Sequence, residues 1–322
     1  MDAALRGWSL ARQAKSLVRR PYLPLYRLEG LYEGTPLRLL VADDGLTLAY
    51  VNGFVFSGEA RPRREGLIPS VMAPRLAEAD ADIVVVGANR LLLPLYRDRA
   101  FYIAPKFVRL LMPVWDHPDV IIDSLGQPSR RDLRENVHKM RNRGFGFDIT
   151  MDPSWFDRFY DEMYLPYASN RFGDQAIVYG RRRLKRAFER GCLLIVTQHG
   201  EPVAAALKIV VDSVLHNVCR GVLNGDVEIA RRGAAIALYY YSILFALSRG
   251  CAFADFGNSR PFLTDGALSH KLKWGMKVFS DDSGVGVFAI ASPGRTEQAV
   301  KFLSGNPFYH YTENGVEPCG AF

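Results

Sequence analysis

The stretch that decides the fold runs from Arg231 to Gly275. It reads RRGAA (231–235), IALYYYSILFALSRG (236–250), CAFADFG (251–257), NSRPFLTDGALS (258–269) and HKLKWG (270–275). The second segment is an apolar run of helical length that stops at Gly250, the residue type that most often ends a helix. The small side chains before it predict a helix start whose N–H groups are clear of bulk. Such a start, with its dipole, suits the phosphates of a donor, so Arg232, Gly233, Ala234 and Ala235 are candidate donor-binding residues. The third segment predicts a short buried strand ending at Asp255, and the loop beyond it carries Ser259 and Arg260, with Lys271 following.

Upstream, three strands predict a meander: Leu193 to Gln198, Pro202 to Val210 and Val214 to Val222, joined at His199-Gly200-Glu201 and Asp212-Ser213. Strict alternation along the third strand puts His216 and Arg220 on one face. A partnered structural role is the plain reading of His216, and Arg220 is a candidate substrate contact. Before the meander, Trp155, Phe156, Phe159, Tyr160 and Met163 recur as the apolar side of a helix capped by Ser154. Arg181 to Arg190 predicts a basic helix ending at Gly191.

The segment SRRDLRENVHKMRNRG (129–144) predicts a helix with Leu133, Val137 and Met140 as its apolar stripe. Arg131, Arg134, His138 and Arg141 recur on its other side. That side is either a solvated surface or a clamp for a polyanion, with Arg131 and Arg134 as candidate substrate contacts. The first third is less informative. It predicts strands at Leu37 to Val41 and Leu46 to Phe56 about an Asp43-Asp44-Gly45 turn, a helix at Ala73 to Ala79, and strands at 83–86, 101–103 and 120–122. It carries no glycine-rich phosphate loop, zinc-protease motif or Ser-His-Asp spacing.

The 322 residues carry 41 Lys and Arg against 34 Asp and Glu, a net +7, which suits an anionic ligand without demanding nucleic acid or membrane. Cys192, Cys219, Cys251 and Cys319 form no CxxC pair, so neither a zinc site nor a disulfide framework is expected, and the thiols fit a cytoplasmic protein. No apolar run is long enough to span a bilayer. Residues 4–20 mix Arg and Lys with Leu and Trp and predict an amphipathic helix, either docked on the protein or in peripheral contact with a membrane.

The order of meander, helix and polar-ended strand resembles the GNAT acyltransferase fold. Its signature, Gln/Arg-x-x-Gly-x-Gly/Ala, is met here at Arg232 and Ala237, with Ala235 in place of the middle glycine. Three further features resemble the FemAB-like, two-GNAT-domain branch. These are the basic helix with Ser129, Arg130, Arg131, Arg134 and Lys139; Ala246 and Gly250 followed by Asp255-Phe256-Gly257; and Lys271, Trp274 and Gly275, with His270 where the branch often has Phe. The resemblance runs from about Ser129 to Ala291. It implies an α/β (α+β) fold of two tandem GNAT-like domains, each a mixed, mostly antiparallel sheet flanked by helices. The expected partition is 1–126 for a degenerate first domain, 127–150 for a basic connecting helix and strand, and 151–322 for the domain with the site.

Members of that branch move an acyl or aminoacyl group to an amine. The resemblance therefore implies an N-acyltransferase that works by direct attack, since no nucleophile with an adjacent base is apparent. No permanently bound cofactor is expected. The cosubstrate is acyl-CoA or an acylated carrier protein, and the acceptor is a small-molecule or peptide amine. An aminoacyl-tRNA donor is the alternative, although the long helical hairpin of many such enzymes is missing. A second alternative is a catalytically silent scaffold that binds an anionic partner through Arg131, Arg134, Arg141 and Arg181 to Arg183. Lys271, aligned with the family lysine, is expected to contact the oxyanion or a phosphate. Asp255 is either a base or a strand-end structural residue, and Tyr240 is the candidate to return a proton to the leaving group. Ser259 and Arg260 are expected to hold a carboxylate or phosphate. Trp274 is expected in the core.

Overall fold

The computed structural model describes residues 14–97, 99, 101–173, 178–280, 286–312 and 315–319. Most of the N-terminal segment expected to touch a membrane, residues 4–13, lies outside the described residues. Among the described residues no helix is long and apolar enough to cross a membrane. The chain forms two compact units, and each has its own sheet.

The first unit is built from the chain up to Val108, from Asn258–Ser269 and from the residues after Lys277. Its sheet contains β1 (Tyr22–Tyr32), β2 (Thr35–Ala42), β3 (Arg63–Pro69), β4 (Ile83–Ala88), β5 (Tyr102–Pro105) and β13 (Val287–Ala291), in the order β3-β1-β2-β4-β13-β5. Pairing is antiparallel except for β2 and β4, which run parallel with helix α1 (Gly45–Phe56) between them in the chain. Both faces are covered, so β4 and β13 are apolar along their length and β2 is apolar from Leu39 to Ala42. Leu39, Val41, Ile83 and Val85 face α1 and α8 (Glu297–Gly305), while Leu40, Ala42, Val84 and Val86 build a second core on the other face.

The second unit comprises Arg109–Gly257 and His270–Lys277. The seven-stranded sheet has the order β12-β6-β11-β10-β9-β8-β7. Its strands are β6 (Val108–Pro113), β7 (Phe145–Thr150), β8 (Cys192–Gln198), β9 (Glu201–Val211), β10 (Val214–Val222), β11 (Phe253–Ser259) and β12 (Lys277–Ser280). β7 to β10 are an antiparallel meander, and β11 returns parallel to β10. One face of the meander packs on the aromatic helical run 154–172, which ends in α4 (Leu165–Phe172), and on α5 (Arg181–Phe188). Phe156, Phe159, Tyr160 and Met163 are buried there against Leu193, Ile195, Ala205 and Leu207. The other face carries α2 (Pro118–Ser124), α3 (Ser129–Asn142) and α6 (Ala235–Ser248), and α7 (Gly266–Lys273) contributes its last turn. Meander, helix and parallel strand occur in the order that the GNAT resemblance implies, and each unit has a mixed, mostly antiparallel sheet flanked by helices.

Several sequence expectations are corrected. Leu46 to Phe56 is helix, not strand, because the Asp44 carboxylate caps it by accepting from the Thr47 N–H at 3.0 Å. Val120 to Ile122 is helix too, led by Pro118 in its first turn with the His117 ring as cap. The sequential partition 1–126, 127–150 and 151–322 is replaced by an interleaved one. The apolar strand β13 is buried on both faces and is paired with β4 and β5, so the chain after Lys277 joins the first unit.

Gly221 on β10 marks where the aromatic run meets the sheet most closely. A Cβ there would lie 2.3 Å from the Met163 carbonyl carbon and 2.4 Å from the Tyr164 nitrogen, both backbone atoms that cannot swing aside. Gly221→Ala is expected to destabilise the protein by about 1–3 kcal/mol or more in urea unfolding. Gly126→Ala, where the new Cβ meets nothing within 4 Å, is the control and should stay within about 0.5 kcal/mol of the original. Equal stability of the two variants would refute the close approach.

Candidate active site

β10 and β11 pair over only three positions, Val214 with Phe253, Leu215 with Ala254 and His216 with Asp255. Past His216 the strand carries a bulge at Val218, which shifts its register against β9 between Asn217 and Cys219. The bulge corrects the alternation expected for this strand. His216 pairs with Ile209, which packs on the aromatic-helix side, whereas Arg220 stands 5.1 Å over the Tyr239 ring of α6. The two side chains therefore lie on opposite faces.

At the last position of the parallel ladder the side chains take over from the backbone. The Asn217 side-chain amide donates to the Asp255 carbonyl at 2.7 Å. The Asp255 carboxylate, buried in the sheet, accepts from Arg109 Nε at 2.9 Å and Nη2 at 2.8 Å, and lies 3.2 Å from His216 Nδ1. Its other oxygen accepts from the Gly257 N–H at 2.8 Å, closing a local bend inside β11 where Gly257 takes a φ of 71°. Burial works to raise the Asp255 pKa, but the bonds from His216, Arg109 and Gly257 outweigh it and hold the carboxyl below the usual range. Asp255 is therefore a poor base and a good orienter. With Nδ1 turned to the carboxylate, His216 has Nε2 left for other work, and its side chain is 32% exposed.

On the opposite face a second network meets the same ladder end. Lys208 on β9 is 1% exposed, and its ammonium nitrogen bonds to the Asn217 side-chain oxygen and to the Ser242 hydroxyl on α6. Among the described residues no carboxylate pairs with it, and desolvation pulls its pKa down to about 7. Tyr239 stacks on Phe256 at 4.7 Å and on Trp274 at 5.6 Å, and the His270 ring meets it edge-on at 4.9 Å. Burial, with the nearby cations Arg220, Arg171, Lys273 and Lys271, pushes the His270 pKa down to about 4. The imidazole is thus neutral and packs as an aromatic ring where the resembling branch often has Phe. Trp274 is fully buried, as expected. A cleft of about 250 Å3 opens beside this cluster, lined by α3, Ile236, His270 and Lys273.

The remaining candidates are spread out. Lys271 is buried and donates to the Gly257 carbonyl at 3.0 Å, so it holds the turn after Asp255. Tyr240 donates to Asp119 at 3.1 Å and accepts from Arg141 at 2.6 Å, and burial with Asp119 drives its pKa up to about 12. That hydroxyl is already occupied and is a weak proton donor. Arg232 to Ala235 do not form a free helix start. Helical turns begin at Val227, the Asp226 carboxylate caps them, and a wider turn over Ala230–Ala234 leads into α6 with the Ala235 N–H bonded to Ala230. Gly233 there takes a φ of 143°, and a Cβ would meet the Phe145 ring at 2.9 Å, which is why this position is glycine.

On α3, Arg134 pairs with Asp123, Lys139 with Glu135 and Arg141 with Asp119, while Arg131 lies 3.8 Å from Asp132. The expected polyanion clamp is thus largely neutralised by its own acids. Ser259 and Arg260 belong to the first unit; Ser259 is buried, and among the described residues its hydroxyl has no hydrogen-bond partner. Arg109, Lys208 and Asn217 were not singled out from sequence. Lys208 had a signal, as the one charge inside the apolar strand PVAAALKIVV (202–211), and Arg109 had none.

No protein-family model matches the chain, and no curated protein matches it. Among solved structures it is similar to FemX, at 12% identity over 86% of this chain and 90% of that one, with a TM-score of 0.43. It is also similar to L-PGS from Bacillus licheniformis, at 12% identity over 86% and 87% with a TM-score of 0.39. A GCN5-related N-acetyltransferase from Sphaerobacter thermophilus matches at 15% identity over 79% and 71%, with a TM-score of 0.36.

The state of Lys208 is testable through stability. Its folded pKa of about 7 lies below its ordinary value of 10.5. Between those pH values the unfolded chain holds a proton that the folded chain lacks, so this group makes stability rise with pH. Below about pH 7 both states are charged and the full cost of burial is present. In urea unfolding from about pH 7 to 9, the native protein should gain on Lys208→Met by up to ~1.4 kcal/mol per pH unit. A pH-independent difference would show that Lys208 stays charged in the fold.

Proposed function

We propose that the protein is an acyltransferase that moves an acyl group from a thioester donor, acyl-CoA or an acylated carrier protein, to an amine by direct attack. The observation that carries this reading is the His216–Asp255–Arg109 arrangement at the end of the short parallel ladder between β10 and β11. The amine nitrogen attacks the thioester carbonyl and gives up a proton to His216 Nε2. Asp255, kept ionised by Arg109, stabilises the imidazolium that forms and holds the ring in the correct tautomer. The tetrahedral intermediate collapses with loss of the thiolate, which takes the proton back from the His216 imidazolium and leaves as the thiol. Lys271 acts as a positioning residue, since its ammonium holds the Gly257 turn that donates to Asp255.

A second reading, an aminoacyl-tRNA donor, is favoured by α5 and the residues after it. Arg182, Lys185, Arg186 and Arg190 are exposed there, and among the described residues no carboxylate pairs with them. Binding of a polyanion to that face would weaken steeply with salt.

The test is turnover by the purified full chain, with acyl-CoA and aminoacyl-tRNA donors offered against a panel of amines. His216→Ala is expected to lower kcat by about 100-fold or more with the thermal midpoint nearly unchanged, and Asp255→Asn to lower it by a smaller factor. Undiminished turnover in His216→Ala would remove it as the base, and failure of every donor would remove the transferase reading.

A further inference from the structure

Arg260, in the first unit, is held between aromatic rings. Its guanidinium carbon lies 4.3 Å from the centre of the Phe107 ring, 4.5 Å from that of Tyr50 and 5.8 Å from that of Phe288. Tyr50 and Phe288 are buried and Phe107 is half-buried, so the plane of the guanidinium fork is set by packing. Rings supply no hydrogen-bond acceptors in the plane of the fork. A guanidinium carries five N–H donors, and among the described residues no oxygen accepts from Arg260.

The acids around it are committed elsewhere. Asp43 is ion-paired with Lys106 and accepts from the Thr47 hydroxyl at 2.8 Å. Asp44 accepts from the Thr47 N–H at 3.0 Å and from Arg20 at 2.9 Å. Asp265 accepts from the N–H groups of Ala267 at 2.9 Å and Leu268 at 3.2 Å, at the start of α7. The Tyr50 hydroxyl stands 3.5 Å from its other oxygen. Burial lowers the Arg260 pKa, while Tyr50 and these three aspartates act in the opposite sense, and the guanidinium stays charged. A fixed, half-buried cation with its donors unspent is arranged for an acceptor that is not part of this unit.

We propose that Arg260, walled by Tyr50, Phe107 and Phe288, is a binding site for a monoanionic carboxylate group, whose two oxygens take the open edge of the guanidinium fork. The local charge selects within the class of oxyanions. Lys106, Arg20 and Arg260 balance Asp43, Asp44 and Asp265, so a bound carboxylate leaves this half-buried cluster one charge negative whereas a phosphate dianion leaves it two, the costlier state. Two parallel N–H···O bonds to a pre-oriented fork give the site its geometry, because less side-chain freedom is lost on binding. The assignment does not rest on the transferase reading, since it concerns binding and is read without turnover.

The test uses the full chain, labelled with 15N-arginine, and N-acetylglycine as the probe. Its methyl ester serves as the uncharged match and inorganic phosphate as the dianion. Binding is read from the Arg260 Nε–H resonance and by calorimetry. N-acetylglycine should shift that resonance saturably, with the ester weaker by about tenfold or more and phosphate no tighter than the acid. Arg260→Lys keeps the charge and the stacked stem but lacks the fork, so its affinity for the acid should fall by about tenfold or more. If that variant fails to fold, the acid-against-ester comparison on the native chain decides by itself. No saturable shift, equal binding of acid and ester, tighter binding of phosphate, or full affinity in folded Arg260→Lys would each overturn the proposal.

Discussion

The Asp255 carboxylate is the point on which the second unit turns. Burying a charge in a sheet is costly unless every lone pair finds a donor. Three strands meet that demand: β6 supplies Arg109, β10 supplies His216, and β11 itself supplies the Gly257 N–H. The same requirement explains why β6 sits beside β11, and why Lys271 is spent on the Gly257 carbonyl. A carboxylate so heavily bonded is held ionised and gives direction to the imidazole next to it. It is not itself a group that takes protons near neutral pH.

The bulge at Val218 then divides the site by face. Before it, His216 points toward the aromatic-helix side; after it, Arg220 points to α6. On the α6 side the protein buries Lys208 without a counter-charge, and the low dielectric answers by pulling its pKa toward neutrality. His270 behaves in the same way and becomes a neutral ring packed on Tyr239. Two residues that look charged or polar in the sequence are thus converted by burial into nearly neutral packing elements. Asn217 joins the two faces, with its oxygen toward Lys208 and its amide toward the Asp255 carbonyl.

The first unit, poor in motifs, contains its own buried ionic cluster. Asp43 and Lys106 pair in the interior, and a Cβ at Gly87 would fall 2.0 Å from the Asp43 carboxyl, so the glycine makes room for the charge. Arg260 adds a cation held by rings. No local sequence pattern marks this group, because Asp43, Lys106 and Arg260 come from three distant segments that only the sheet brings together.

The sequence by itself determined the meander, the apolar helix ending at Gly250, the existence of the strand that carries Asp255 and the aromatic-helix core, while that strand runs on to Ser259 rather than stopping at Asp255. Each is a local periodicity or a cap, and period two or 3.6 is written in neighbouring residues. It also singled out Asp255 and Arg260. What only the tertiary structure decided was the helix at Gly45–Phe56, the return of β13 to the first sheet, the opposite facing of His216 and Arg220, and the start of α6 within a continuing helix. The physical reason is the same in each case. β-branched and aromatic runs suit strand or helix alike until partners are chosen, a bulge resets alternation without changing composition, and the pairing of Asp255 with Arg109 joins residues 146 positions apart.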